Sequence, residues 1–219
     1  MVDLSAVDLA FRVRAATLSV ATTGSTTLAA TATTYTRASG SFITDGFTVG
    51  SEVTPTGFPQ SDTGVITAVS ALALTISGGR DVASADSGRT LTVGLPALRA
   101  YDNRDFTPVA GRPFVETELV PATMTLRTGP AQGGTVVQTG LFVVRWYGLA
   151  NTGALGIRKA VDALGALFTP MTALTAGANT VRVREDVGPF ASSISQRPGG
   201  WAVSTLTIPW RAFSANTIA

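Results

Sequence analysis

Catalysis needs acids, bases, nucleophiles or metal ligands held close together, and this chain of 219 residues has few of them. It contains no histidine and no cysteine. That removes the commonest general base, the commonest metal ligand, thiolate nucleophiles, disulfides and the usual structural zinc sites. Carboxylates remain. Glu116 and Glu118 stand two apart in a strand-like run and so share one face. Such a pair suits a hard cation or a wet lumen, and equally a solvent-facing strand edge. Glu185 and Asp186 are adjacent and carry the same two readings. Two carboxylates on one strand do not face each other across a cleft, which carboxylate-based hydrolysis requires. The inventory predicts no enzyme, no cofactor and no metal.

The more informative side chains are those that make contacts. Trp146 and Trp210 sit beside Arg145 and Arg211, and Trp201 follows Gly199–Gly200 at the start of a strand. Tryptophan and arginine are the usual anchors of protein interfaces. A tryptophan on a strand is also ordinary core, and both readings stand for each of the three. Phe190 and Ile194 are apolar residues in a loop-like run, 186–200, and suggest a partner's pocket. Arg158 and Lys159 lie side by side on the polar face of a predicted helix. They fit an acidic neighbour, a DNA-filled lumen or a plain solvated face. The Gly-rich run 127–136 is a candidate docking loop.

Composition bounds the setting. Hydrophobic residues make up 45% and charged residues 14%, so the chain folds, and its sparse charge suggests a surface covered by partners. Net charge is +2, from fifteen arginines and one lysine that form no basic run, so nucleic-acid recognition is not expected. Asp3 and Asp8 interrupt the N-terminus, and no signal peptide is expected. The uncharged stretch 15–36 is too rich in Thr, Ser and Gly for a membrane helix.

The elements that must carry these residues fall into three zones. Residues 1–16 read as a helix with Leu4, Val7 and Phe11 on one stripe and Asp3 or Ser5 as its cap. Residues 17–97 hold short apolar runs between turn signals, with three arginines against five acids, and predict a small inserted β-sandwich or barrel. Residues 98–219 predict strands at "RPFVETELV", "ATMTLRT", "TGLFVVRWYG", "NTVRVRED" and the Trp201–Phe213 run. Among them stands a helix on which Ile157, Val161, Leu164 and Phe168 recur, with Asn151 or Thr152 as cap. The expected fold is α+β: an antiparallel sheet packed by two helices, formed by 1–16 and 98–219, with an inserted all-β domain at 17–97 projecting outward.

Two stretches of the outer part resemble a known family. "YDNRDFTPVAGRPFVETELVPA" (101–122) and "VRVREDVGPFASSISQRPGGWAVSTLTIPWRAF" (181–213) are similar, in order and spacing, to the Thr-Pro…Gly-x-Pro segment and the closing Gly-Pro, Gly-x-Trp, Pro-[Trp/Tyr] run of siphophage tail terminator proteins. The likeness covers 1–16 and about 98–213; the 17–97 insert departs from the compact members. The resemblance implies a homo-hexameric ring in the neck of the virion, assembled in the host cytoplasm. Such a ring stops growth of the tail tube, contacts the tube protein and the head–tail connector, and lets DNA pass without sequence-specific binding. It implies no membrane. A tail-tube or head-completion protein, or a module whose insert recognises a surface ligand, are the alternatives.

Overall fold

The computed structural model describes residues 2–60, 62–79, 81–101, 105–126, 135–152 and 154–215. Helix α1 (Leu4–Ala16) begins at Asp3, whose carboxylate accepts the backbone N–H groups of Ser5 and Ala6. This satisfies two of the donors that every helix start leaves free. Its buried stripe is Val7, Phe11 and Ala15.

Eight short strands follow: β1 (Ser19–Thr22), β2 (Leu28–Ala30), β3 (Thr34–Arg37), β4 (Glu52–Thr56), β5 (Gly64–Val69), β6 (Ala73–Ile76), β7 (Ala83–Asp86) and β8 (Thr90–Gly94). They form one sheet in the order β1-β8-β4-β5-β6-β3-β2-β7. Every one of them places a residue in the same core, from Ala21 on β1 to Val93 on β8, so the sheet must bend around that core. Register shifts in the β5–β6 and β2–β7 pairs, of the kind that let strands bend, lie along it. Tyr35, Phe42, Leu28 and Leu74 fill the centre.

The second sheet begins with β9 (Leu98–Tyr101), β10 (Phe114–Leu126) and β11 (Thr135–Leu149). Helix α2 (Leu155–Leu167) follows, then β12 (Ala173–Ala176), β13 (Asn179–Val183), β14 (Phe190–Ala191), β15 (Ser195–Arg197) and β16 (Trp201–Ala215). Its order is β12-β13-β16-β11-β10-β9, with β14 and β15 also paired to β16. One edge of β16 runs along β11 for its whole length, and β13, β14 and β15 cover the other edge in relay.

The α+β expectation is corrected here. The protein is mostly β, 47% strand against 13% helix, with two helices beside two large sheets among the described residues. The physical reason is strand length and number. Short Thr- and Val-rich runs between β2 and β7 became strands, and "RPFVETELV" and "ATMTLRT" fused into a single β10 across a bulge between Pro121 and Met124. The second sheet is not purely antiparallel either, since β9 runs parallel to β10. The run 186–200 contains β14 and β15 rather than loop alone.

The two sheets are fastened to each other. Glu52 on β4 is buried, and its carboxylate accepts the Ala97 backbone N–H at 2.8 Å and the Thr63 hydroxyl at 2.8 Å. It also pairs with Arg112, in the approach to β10. Thr48 and Gly50 pack against Gly156 and Thr152 at the start of α2, where a Cβ on either glycine would meet a side-chain oxygen at 2.7 Å. Helix α2 has no side-chain cap: the Thr152 hydroxyl donates to the Leu149 carbonyl instead.

Candidate functional site

Alternation along the long strands sorts their side chains onto two faces. One face carries Val115 of β10, Phe142, Val144 and Trp146 of β11, and Leu206, Ile208 and Trp210 of β16. These pack with Phe11 of α1 and Ile157, Val161, Leu164 and Phe168 of α2 and its C-terminal end. The opposite face has no place in that core. Register aligns it in rows: Phe114, Tyr147 and Val203; Glu116, Arg145 and Thr205; Glu118, Val143 and Thr207; Val120, Leu141 and Pro209.

The rows differ in chemistry. Phe114 is the hub of an aromatic cluster, with Tyr147 stacked on it at 4.2 Å, Phe106 at 4.9 Å and Trp201 edge-on at 5.0 Å. These rings, with Glu116, Arg145 and Arg197, line an open basin of about 850 Å³. Behind it is an acid–base ladder. The Arg145 Nη2 donates to Glu118 at 2.8 Å, its Nη1 lies 3.5 Å from Glu116, and the Tyr147 hydroxyl donates to Glu116 at 3.1 Å. Two carboxylates share this guanidinium, and Arg197 at the basin wall supplies a second positive charge. Burial pushes the Tyr147 phenol up, and the neighbouring Glu116 carboxylate pushes it further. Burial opposes the charge of Arg145, but the hydrogen bond it donates to Glu118 and the fields of both carboxylates hold it above its ordinary value. Farther along the face, Val120 and Leu141 stand opposite each other, both at 36% exposure.

The residues singled out from sequence divide sharply. Trp146 and Trp210 are core. Trp201 and Arg145 come together in the basin. Arg158 and Ile194 meet in a separate groove of about 390 Å³ between the start of α2 and β15. Lys159 turns toward the inserted sheet, its Nζ 3.6 Å from the place a Cβ on Gly46 would take. Phe190 is 52% exposed on β14, opposite Thr207. Arg211 pairs with Glu185 at 3.0 Å and lies over the Phe213 ring. The docking-loop expectation for 127–136 falls mainly on 127–134, outside the described residues. Glu185 and Asp186 are each tied to an arginine, and Arg184 holds the Asp186 carboxyl below its usual range.

Sequence reasoning missed Phe114 and Tyr147. Their signal was present in the alternation of "FVETE" and "VVRWY", which places Phe, Glu and Glu on one face of one strand and Arg and Tyr on one face of the other. Among the described residues no group of three His, Cys, Asp or Glu is placed to hold a metal ion, and no helix is long and apolar enough to cross a membrane.

Comparison with known proteins gives one strong likeness. A family model described as phage tail terminator protein matches residues 84–210, more than half of the chain. The match starts within β7 of the first sheet and ends at Trp210, so it takes in the basin, the ladder, the β10–β11 pairing and most of the β11–β16 pairing. A solved structure aligns at 21% identity with a TM-score of 0.39, covering 57% of this chain and 82% of that one, too weak a likeness to carry an argument. No curated protein matches the chain.

Proposed function

The chain belongs to the phage tail terminator family, and from that premise we propose that it works as a closed ring at the head-proximal end of the tail tube. It is a structural component of a bacteriophage tail. The ring is a homo-hexamer in the neck, assembled in the host cytoplasm. It stops addition of tube subunits, joins the tube to the head-side connector and passes DNA through its lumen without reading sequence. It catalyses no reaction and uses no cofactor.

The observation that carries this reading is the face of β10, β11 and β16 turned away from the helices, where Val120 and Leu141 are exposed although Phe114, Val143 and Val203 are buried. Three strands of 13 to 15 residues form a stiff platform, and no helix packs on this side of it. Exposed Val120 and Leu141 at its middle and an aromatic basin at one end supply the apolar anchors that a subunit contact needs. A stable contact of this kind buries on the order of 1,000 Å² or more. Ring closure follows when one patch binds a different patch on the neighbour and the rotation returns to its start. Termination then needs two unlike ring faces, one that docks on the tube and one that refuses another tube ring. The first sheet, joined through Glu52 and Arg112, lies against α2.

Light scattering on the purified protein, with electron microscopy of tube protein polymerised in its presence, tests the proposal. Six subunits per particle and shortened, capped tubes are the expected results. Charging the platform through Val120→Glu with Leu141→Glu should yield a folded monomer that no longer caps. A wild-type protein that stays monomeric and leaves tube length unchanged would sink the reading.

A further inference from the structure

The second sheet ends at β12, and that edge is unusual. The register Ala176↔Asn179 closes the β12–β13 hairpin over a two-residue turn, Gly177–Ala178. The Val183 backbone N–H donates to the Thr172 carbonyl at 2.9 Å, which makes Thr172 and Val183 a hydrogen-bonded pair. Alternation then makes Leu174/Val181 and Ala176/Asn179 bonded pairs as well. Ala173 and Thr175 are left to aim their N–H and C=O groups away from the sheet.

Natural edges are protected by shortness, charge, proline, a bulge or a covering element. β12 is short, at four residues, but its sequence Ala-Leu-Thr-Ala carries no charge or proline. Helix α1 runs alongside, with Ala6 next to Gly177. Between them lies a groove of about 430 Å³ lined by Leu9, Ala10, Val13, Ala173 and Thr175, with Arg14 at one end. Leu9 and Val13, one helical turn apart, are 62% and 59% exposed, although they form the groove's apolar wall. The Arg14 Nε donates to the Leu167 carbonyl at 3.2 Å, which fixes the guanidinium there. Among the described residues no carboxylate pairs with it.

We infer that the groove between α1 and the free edge of β12 is a strand-addition site for an extended segment of a protein partner, apolar at alternate residues and carrying a carboxylate toward Arg14. The unpaired main chain of Ala173 and Thr175 supplies the ladder. Leu9 and Val13 take the alternate apolar side chains, and Arg14 sets direction. A second copy is a poor occupant. The sheet's other open edge, β9, carries Arg99, of the same sign as Arg14, and offers it no carboxylate.

The test is a titration of the full chain, followed by backbone NMR, with an acetylated hexapeptide of alternating Val and Thr ending in a free carboxylate. The expected result is saturable shifts centred on the amides of Ala173 and Thr175. Binding should weaken about tenfold, roughly 1.4 kcal/mol, when the peptide's alternate amides are N-methylated, and less steeply when its carboxylate is amidated. Thr175→Pro removes the outward N–H while sparing the β12–β13 ladder, and should abolish binding. Val13→Lys, at an exposed position, should do the same and serves if the proline variant fails to fold. Absence of saturable shifts at millimolar peptide, or binding that survives N-methylation and Val13→Lys, overturns the inference. So does self-association of the wild type that both variants remove, because the groove would then belong to a second copy. Breaking the ring through Val120→Glu with Leu141→Glu should leave peptide binding intact, because the platform and the groove share no residue.

Discussion

Trp210 occupies the space that any side chain at position 140 would need. Gly140 stands directly opposite it in register, and a Cβ there would meet the indole Cζ2 at 2.5 Å and the Val120 carbonyl oxygen at 2.6 Å. Gly140→Ala should therefore overpack the centre of the second sheet and cost about 1–3 kcal/mol. Urea unfolding followed by tryptophan fluorescence measures it. An unchanged midpoint would mean that the indole moves aside at no cost.

The three tryptophans should behave as two classes. Trp146 and Trp210 are buried, whereas Trp201 is half-buried beside the basin. Acrylamide should quench Trp201 in the monomer and reach the other two poorly. Trp210→Ala should lose about 3–5 kcal/mol of stability, whereas Trp201→Ala should lose much less and weaken subunit assembly. Equal quenching of all three would contradict the burial pattern.

Tyr147 gives a pH signature. Its phenol holds a proton above the ordinary tyrosine value in the folded state, first through burial and then through Glu116. The folded chain therefore binds that proton more tightly than the unfolded chain. The stability this contributes is present below the ordinary value of 10.0 and is lost as pH rises from there through the raised folded value. Ultraviolet titration of phenolate absorbance should show a late step that Tyr147→Phe removes and Glu116→Gln shifts to lower pH. A late step that persists in Tyr147→Phe belongs to another tyrosine.

The Glu52–Arg112 pair couples the sheets. Arg112→Ala leaves the buried Glu52 carboxylate with the Ala97 N–H and the Thr63 hydroxyl as its remaining partners. The expected loss is about 1–3 kcal/mol, and hydrogen exchange at Ala97 should accelerate. Protection at Ala97 identical to wild type would show that the carboxylate is sufficiently held without the guanidinium.

Much of the local structure was legible because it rests on local causes. Asp3 caps α1, as its side-chain chemistry predicts. Val181 and Val183 are buried while Arg182 is exposed, as alternation requires. The stripe of Ile157, Val161 and Leu164 is buried on α2. The cap of α2 was not legible: Asn151 and Thr152 both have the right chemistry, yet Thr152 turns back to Leu149 and the helix starts at Leu155. Residues 28–37 were also obscure, because strands of three and four residues carry too little period to be seen.

The amino-acid sequence by itself determined what this protein can do chemically. With no histidine or cysteine it lacks imidazole and thiolate chemistry, and its few charges and large rings set on strands are side chains suited to contact. That conclusion depends only on which side chains are present, and inventory needs no fold. The tertiary structure decided which of those side chains are available. Trp146 and Trp201 are alike in sequence, but the face of the sheet each occupies sends one into the core and the other to the basin. Arg145 lies more than 25 residues from Glu116 and Glu118 along the chain, and the three become a ladder only when β10 and β11 pair in one register, since a slip of one residue would turn them to the opposite face. Register is set by the whole sheet and its covering helices, so no local stretch of sequence encodes it.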